Sequence, residues 1–403
     1  MFCQGKKWSK IIRYEERKTI STIKQCILSS RPGIGNSCKP TNFKLTNINE
    51  PPFKELNDGE IYCETIFLSV DPYMRCMLDE NHPQLGEYLE PQALGQVCSG
   101  GGIGKVLKSN HPDFKEDMYI CVPFLGYPWS KKAILQANDP NLDVQRCALD
   151  SRPSLSLGLL GMPGLTSYFC MLNDGNPKEN ETVVISGAGG MCGSVAAQLA
   201  KRRGANVVAI SGSKEKNHIL ETYLNVDKTI CYKDIDYEEQ LITACRDMGG
   251  VDVYMDNVGG ILSDVILKEI NHNARIPICG QIANYDENIS YMDMISNEKG
   301  ISLEIQKILK DKNAIRKRFL VLDYIEQWPD ALEELRNLVV NKELKTVETI
   351  DVGFNPGKAF TDMMNGENLG KAIVDIHGSI LLNDNDATTY FEKRNDNKYW
   401  IVN

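Results

Sequence analysis

The amino-acid pattern predicts an α/β protein in which a β-rich domain is followed by a doubly wound parallel-sheet domain, and three observations carry that prediction. A chain of 403 residues holds at least one large core and divides most readily into two domains. Up to about residue 150 short apolar runs are broken by Pro and Gly, the texture of β-strands. Beyond Gly161 strand-like runs alternate with stretches of helical periodicity, the mark of βαβ units around a parallel sheet.

Taken in order, the opening "MFCQGKKWSKIIRYEERK" is basic, carries two glutamates and lacks the apolar stretch of a secretory signal. Residues 1–22 are therefore expected to be a flexible extension. The runs "IYCETIFLSV", "GQVCSGGGIGKVL" and "MYICVPFLGY" read as strands of the first domain, spanning 23–155. In the second, 156–325, "TVVIS" leads into a helix, "NVVAIS" into "KEKNHILETYL", "KTICY" into "YEEQLITACRDM" and "VDVYMDN" into "LSDVILKEI". From 326 to 380 the text alternates again and can rejoin the first domain. The closing "LLNDNDATTYFEKRNDNKYW" is polar and rich in Asn and Asp, so 381–403 is expected to fray as a second flexible extension.

Composition narrows the function classes. With 42% hydrophobic and 25% charged residues the chain resembles an ordinary globular protein, and no apolar run approaches the roughly 18 residues that span a bilayer. A net charge of -9 argues against general binding of nucleic acid, because counterion release needs a basic surface. The thirteen cysteines are odd in number, scattered from Cys3 to Cys279 and free of any C-x-x-C pair. They read as reduced thiols of a cytoplasmic protein rather than a disulfide framework or a zinc ribbon. The five histidines are equally dispersed, with no metal-ligand spacing, so no metal is expected. A small-molecule partner remains, bound by a monomer or a homodimer.

The sharpest local signal is "VVISGAGGMCGSVAAQLAK", residues 183–201. Gly187, Gly189 and Gly193 form G-x-G-x-x-x-G between a strand and a helix, while Cys192, Val195, Ala196, Leu199 and Ala200 recur at helical spacing. Gly permits the tight turn and lets a phosphate approach backbone N–H groups, and the helix dipole favours an anion there. The next strand ends not on the acidic residue of an NAD site but on Ser211, Ser213, Lys214 and Lys216. Small donors and cations suit a 2'-phosphate, so the expected cofactor is NADPH.

Several separated phrases resemble one family: "LSVDPYMR" (68–75), "GGGIG" (100–104), "GMPGLTSY" (161–168), "DNVGG" (256–260), "CGQIANY" (279–285), "RFLVLDY" (318–324) and "GENLGK" (366–371). Together they resemble zinc-independent medium-chain reductases of the leukotriene B4 dehydrogenase and prostaglandin reductase type, over residues 24 to 376. The resemblance implies a GroES-like catalytic domain with a Rossmann domain inserted, and a cleft between them. The absence of the Gly-His-Glu used by zinc-dependent relatives fits a metal-free mechanism. It further implies coenzyme contacts at Gly190, Met191, Cys192 and Gly193 for the pyrophosphate, and at Lys216 and Tyr232 beside the adenosine phosphate. Asn257, the loop Cys279, Gly280, Gln281, Ile282, Ala283, Asn284 and Tyr285, the run Phe319, Leu320 and Val321, and Asn368 complete the set. On periodicity alone "FLVL" would be a buried strand, "DNVGG" a turn and Asn368 a helix cap.

The same resemblance implies reduction of α,β-unsaturated ketones, such as 15-oxo-prostaglandins and lipid alkenals. Hydride addition at the β-carbon builds negative charge on the ketone oxygen, which a neutral donor must stabilise. Tyr285 is the expected donor, by resemblance, at the carboxyl end of a sheet strand where open α/β sheets bind ligands. Tyr73 is a second substrate contact, with Phe124 or Tyr127 shaping the pocket in a stretch about three residues longer than the family's. A quinone reductase on the same scaffold and a catalytically idle NADPH-binding protein are the alternatives.

Overall fold

The computed structural model describes residues 22–50, 56–86, 89–149, 151–290, 292–293, 296, 301–379, 390–395 and 398–402. Apart from Thr22, the expected N-terminal extension lies outside them.

The second domain is a six-stranded sheet of Thr182–Ile185, Asn206–Ser211, Lys228–Cys231, Val251–Met255, Ile270–Ile278 and Ile315–Arg318. Numbered along the chain, its strands lie in the order 3-2-1-4-5-6, and every pair is parallel. Both faces are covered at its centre, which is why Thr182–Ile185 and Asn206–Ser211 read as near-continuous apolar runs. Alternate side chains pack to opposite sides: Val183, Ile185, Val207 and Val253 in one core, Val184, Val208, Ile210 and Tyr254 in the other. Strand order reverses between Thr182–Ile185 and Val251–Met255, and the crevice outside their carboxyl ends is where such sheets take ligands.

Among the described residues the β-rich domain is built on a nine-stranded sheet. Its strand Glu60–Ser69 pairs antiparallel with Ser99–Ser109 and with Lys371–Asp375, so the chain returns after the nucleotide domain to complete the first sheet. The N-terminal strand Thr22–Leu28 forms a separate two-stranded sheet with Phe43–Asn49.

Three sequence expectations change. Helix Trp328–Val340 packs Ala331, Leu335 and Leu338 into the nucleotide-domain core, so the return begins nearer strand Val347–Val352 than residue 326. "FLVL" is not a strand: Ile315–Arg318 ends before it, and Val321–Gln327 is a 3-10 helix. The C-terminal stretch is not a frayed tail, because Tyr390–Asn395 and Lys398–Val402 form a hairpin whose inner strand pairs antiparallel with Val347–Val352. Averaged polarity hid the run "KYWIV", in which Trp400 is 2% and Ile401 0% exposed; an open sheet edge supplied the partner that the local sequence cannot show.

Candidate active site

A cleft of about 680 Å3 runs between the domains, within the range of small-molecule sites. One end is built from backbone. Strand Thr182–Ile185 gives way to a turn in which Gly187 has φ +62, a left-handed conformation that a side chain would strain. Gly190 caps helix Met191–Arg202. A Cβ at Gly193 would stand 2.6 Å from the Ala188 Cα, so only glycine lets this helix sit so tightly on the turn. Gly187, Gly189, Gly190 and Gly193 all line the cleft, as do Met191 and Cys192, and the unpaired N–H groups of a helix's first turn face an anion there. This side-chain-free cradle fits a diphosphate.

Beyond it, Ser213 caps helix Lys214–Thr222 by accepting the Lys216 N–H. Lys216 is 6% exposed, and its Nζ donates to the Gly366 carbonyl at 2.6 Å. With Ser211, Gly212 and Tyr232 it closes that end of the cleft, a donor and cation set suited to a phosphate monoester. Lys214, by contrast, is turned outward toward Asp234 at 3.6 Å, outside the cleft lining.

The loops after the fourth and fifth strands are zipped together. Cys279 and Gly280 donate backbone N–H groups to the Asp256 carbonyl, Ile282 to Asn257 and Ala283 to Val258. Asn257 is itself held by Ser186, at 2.9 Å through its backbone N–H and 2.8 Å through its amide. The organiser is one the sequence reading missed, the Asp256 carboxylate. It is fully buried and accepts the Tyr254 hydroxyl at 2.9 Å, the Gly259 N–H at 2.8 Å and the Ser263 hydroxyl at 2.7 Å. Its place just before Asn257 in "DNVGG" was the available signal.

Tyr285 lines the cleft beside Gly280, in an apolar cluster with Cys76, Met77, Leu89, Tyr73 and Phe124. A Cβ at Gly280 would lie 3.2 Å from the Tyr285 hydroxyl, which places that hydroxyl against the loop backbone. Tyr73 and Phe124 have ring centroids 4.6 Å apart, and the Tyr73 hydroxyl donates to the Phe124 carbonyl at 3.0 Å. Ile282, Ala283, Phe319, Leu320, Val321 and Asn368 also line the cleft.

Three expected residues do not. Tyr127 is fully buried in the β-rich core, its hydroxyl 3.1 Å from Thr65 Oγ1; strand alternation turns it inward while Phe124 reaches the cleft. Gln281 is 4% exposed and donates to Asp256 at 3.3 Å, and Asn284 donates to Gln281 at 3.0 Å, so both side chains brace the loop from within.

The sequence reading also missed the buried anchors around Tyr285. Arg75, 0% exposed, donates to Asp79 at 2.8 Å, to Asp286 at 2.6 Å and to the Gly33 and Asn36 carbonyls, tying the loop that carries Tyr285 to the catalytic domain. His82 donates Nε2–H to the Tyr285 carbonyl at 2.9 Å. On the cleft floor Lys371 pairs with Asp71, which also accepts the Ser69 hydroxyl. Cys192 and Cys279 face the cleft as thiols: the Cys192 pKa is raised well above the ordinary thiol value by the thiol hydrogen bond with Cys279 and then by burial. Such groups are poor nucleophiles. Among the described residues no three His, Cys, Asp or Glu side chains come together to hold a metal ion.

Comparison with known proteins agrees with this architecture. Residues 24–141 match the family "N-terminal domain of oxidoreductase" and 192–336 the family "Zinc-binding dehydrogenase". Prostaglandin reductase 1 of Mus musculus is 36% identical over 83% of this chain and 93% of its own length. The NADPH-dependent curcumin reductase of Escherichia coli is 31% identical over 87% of this chain and 96% of its own. The crystal structure of CurA from Vibrio vulnificus in complex with NADPH superposes with a TM-score of 0.75 at 28% identity, covering 88% of this chain and 99% of that one. At these identities and coverages, with the glycine turn and the interdomain cleft in place, the chain belongs to the zinc-independent medium-chain dehydrogenase/reductase family of oxidoreductases.

Proposed function

We propose that the protein uses NADPH to reduce the carbon–carbon double bond of α,β-unsaturated ketones, with 15-oxo-prostaglandins and related lipid enones or alkenals as substrates, the 13-reductase activity of the prostaglandin reductase 2 type. The observation that carries this reading is the continuity of one cleft from the phosphate cradle to Tyr285, which stands in an apolar cluster. NADPH held by the glycine turn and Lys216 would supply the hydride. Tyr285 acts as the hydrogen-bond donor to the ketone oxygen as charge develops on it. Tyr73 and Phe124 exclude water and pack the substrate's apolar body. The proton for the α-carbon comes from water or from Tyr285 itself. The described cysteines are all free and mostly buried, which suits a reducing compartment such as the cytoplasm.

The test is to mix the purified protein with NADPH and 15-oxo-prostaglandin E2, then with a quinone, following coenzyme absorbance. Oxidation with the enone is the expected result. Oxidation with the quinone alone would replace the reading with a quinone reductase, and tight NADPH binding without turnover on any acceptor would make the chain an idle binder.

A further inference from the structure

The C-terminal hairpin lies beyond residue 376, outside the phrases that carry the family resemblance, yet it holds residues next to the segment that lines the coenzyme end of the cleft. Its inner strand Lys398–Val402 buries Lys398, whose ammonium lies 2.6 Å from Asp362, 3.4 Å from Glu367 and 3.7 Å from Asp351. An ammonium 3% exposed is costly unless paired, and here three carboxylates converge on it. Asp362 belongs to helix Pro356–Met364, and Glu367 lies in the short connection, residues 366–370, that leads into strand Lys371–Asp375.

That connection is the part of the return segment that meets the glycine turn and Lys216. Gly370 donates its N–H to the Gly189 carbonyl at 2.7 Å, and the Gly366 carbonyl accepts the Lys216 ammonium at 2.6 Å. From behind, Thr349 clamps Leu369 twice: its hydroxyl donates to the Leu369 carbonyl at 2.9 Å and accepts the Leu369 N–H at 2.8 Å. Thr349 stands in register with Trp400 of the hairpin. A chain of short contacts therefore runs from the C-terminal strand to both the phosphate turn and the cation beside it.

Resting on the NADPH reading above, we propose that Lys398 is a positioning residue for the coenzyme: by holding Glu367 and Asp362 it sets residues 366–370 against the phosphate turn and aims Lys216 at the adenosine phosphate. The connection has no other ammonium to neutralise Glu367 among the ion pairs of the described residues. Removing the charge frees the connection to drift, and the loss falls on binding rather than on chemistry.

The experiment titrates NADPH, and separately 2',5'-ADP, into the full-length protein by fluorescence and calorimetry, with Lys398→Met, Lys398→Arg and Glu367→Gln beside the wild type. Lys398→Met should weaken both ligands about tenfold, Lys398→Arg should recover most of that, and kcat at saturating NADPH should stay within about twofold. Should Lys398→Met fail to fold, Glu367→Gln decides, because Glu367 is half exposed and its loss leaves the buried core intact; it should weaken NADPH about threefold with Tm unchanged. A folded Lys398→Met or Glu367→Gln that binds NADPH as the wild type does would overturn the inference and leave the proposed function standing. A wild-type protein that does not bind NADPH would overturn both.

Discussion

The two ends of the cleft are made in different ways. The phosphate cradle at the coenzyme end is one contiguous turn, residues 187–193, whose working parts are backbone N–H groups and missing side chains. The substrate end is a set of side chains from distant segments: Tyr73 and Arg75 from one helix and its cap, Phe124 from a strand, Tyr285 and Asp286 from a nucleotide-domain loop. The difference teaches that one end is tuned by local geometry and the other by how the domains meet. Mutations should separate accordingly, binding at one end and turnover at the other.

Tyr285→Phe should show the largest effect. Loss of the donor lowers turnover about 100- to 1,000-fold while NADPH affinity holds within about twofold, read by steady-state kinetics and coenzyme titration. Equal loss of both would erase the division between the ends.

Gly193→Ala attacks the other end. The added Cβ would meet the Ala188 Cα at 2.6 Å and the Gly187 carbonyl at 2.7 Å, so the turn must shift. Overpacking of this kind costs about 1–3 kcal/mol, and NADPH affinity should fall about tenfold with kcat at saturation little changed.

A pH profile sharpens the account of the substrate end. His82 donates Nε2–H to Tyr285 at 2.9 Å and accepts the Gln84 N–H on Nδ1 at 3.2 Å, so only the neutral ring satisfies both. Burial holds its pKa below the ordinary histidine value of 6.5. A histidine depressed on folding contributes its full stabilisation above that unfolded value and loses it as pH falls through the lower folded one. Turnover should therefore drop on the acid side of 6.5, and His82→Gln should flatten that limb about two- to fivefold while NADPH affinity follows the wild-type profile.

The smallest effect belongs to Tyr127→Phe. Its buried hydroxyl bonds Thr65 inside the β-rich core, so the change should cost about 1 kcal/mol of stability, read as a shifted denaturation midpoint, and nothing in kinetics. A changed KM for the enone would return Tyr127 to the pocket.

Legibility followed the same division. The glycine turn, the alternation of strand and helix, and the cation-rich end of the second strand could be read because each is a short-range pattern with one physical meaning. Tyr285 was singled out only through resemblance, since one strand-end tyrosine among sixteen carries no distinguishing local mark. Arg75, His82 and Asp286 were not found at all: the contacts that join Arg75 to Asp286 and His82 to Tyr285 span some two hundred residues, and nothing beside Arg75 hints that it will be wholly buried. Tyr127 and Phe124 could not be separated without the strand's register, which decides which of them points into the core.

By itself the sequence determined the local conformations and the chemistry they permit: a parallel α/β domain, a side-chain-free anion cradle, and a cation set beside it. Those follow from steric freedom and periodicity, which act between near neighbours. Only the tertiary structure decided that a polar C-terminus becomes a sheet strand bearing a buried lysine, that Lys371 meets Asp71 on the cleft floor, and that Arg75 fastens the Tyr285 loop. Burial and charge pairing depend on which distant surfaces exclude water together, and no stretch of sequence contains its own partner.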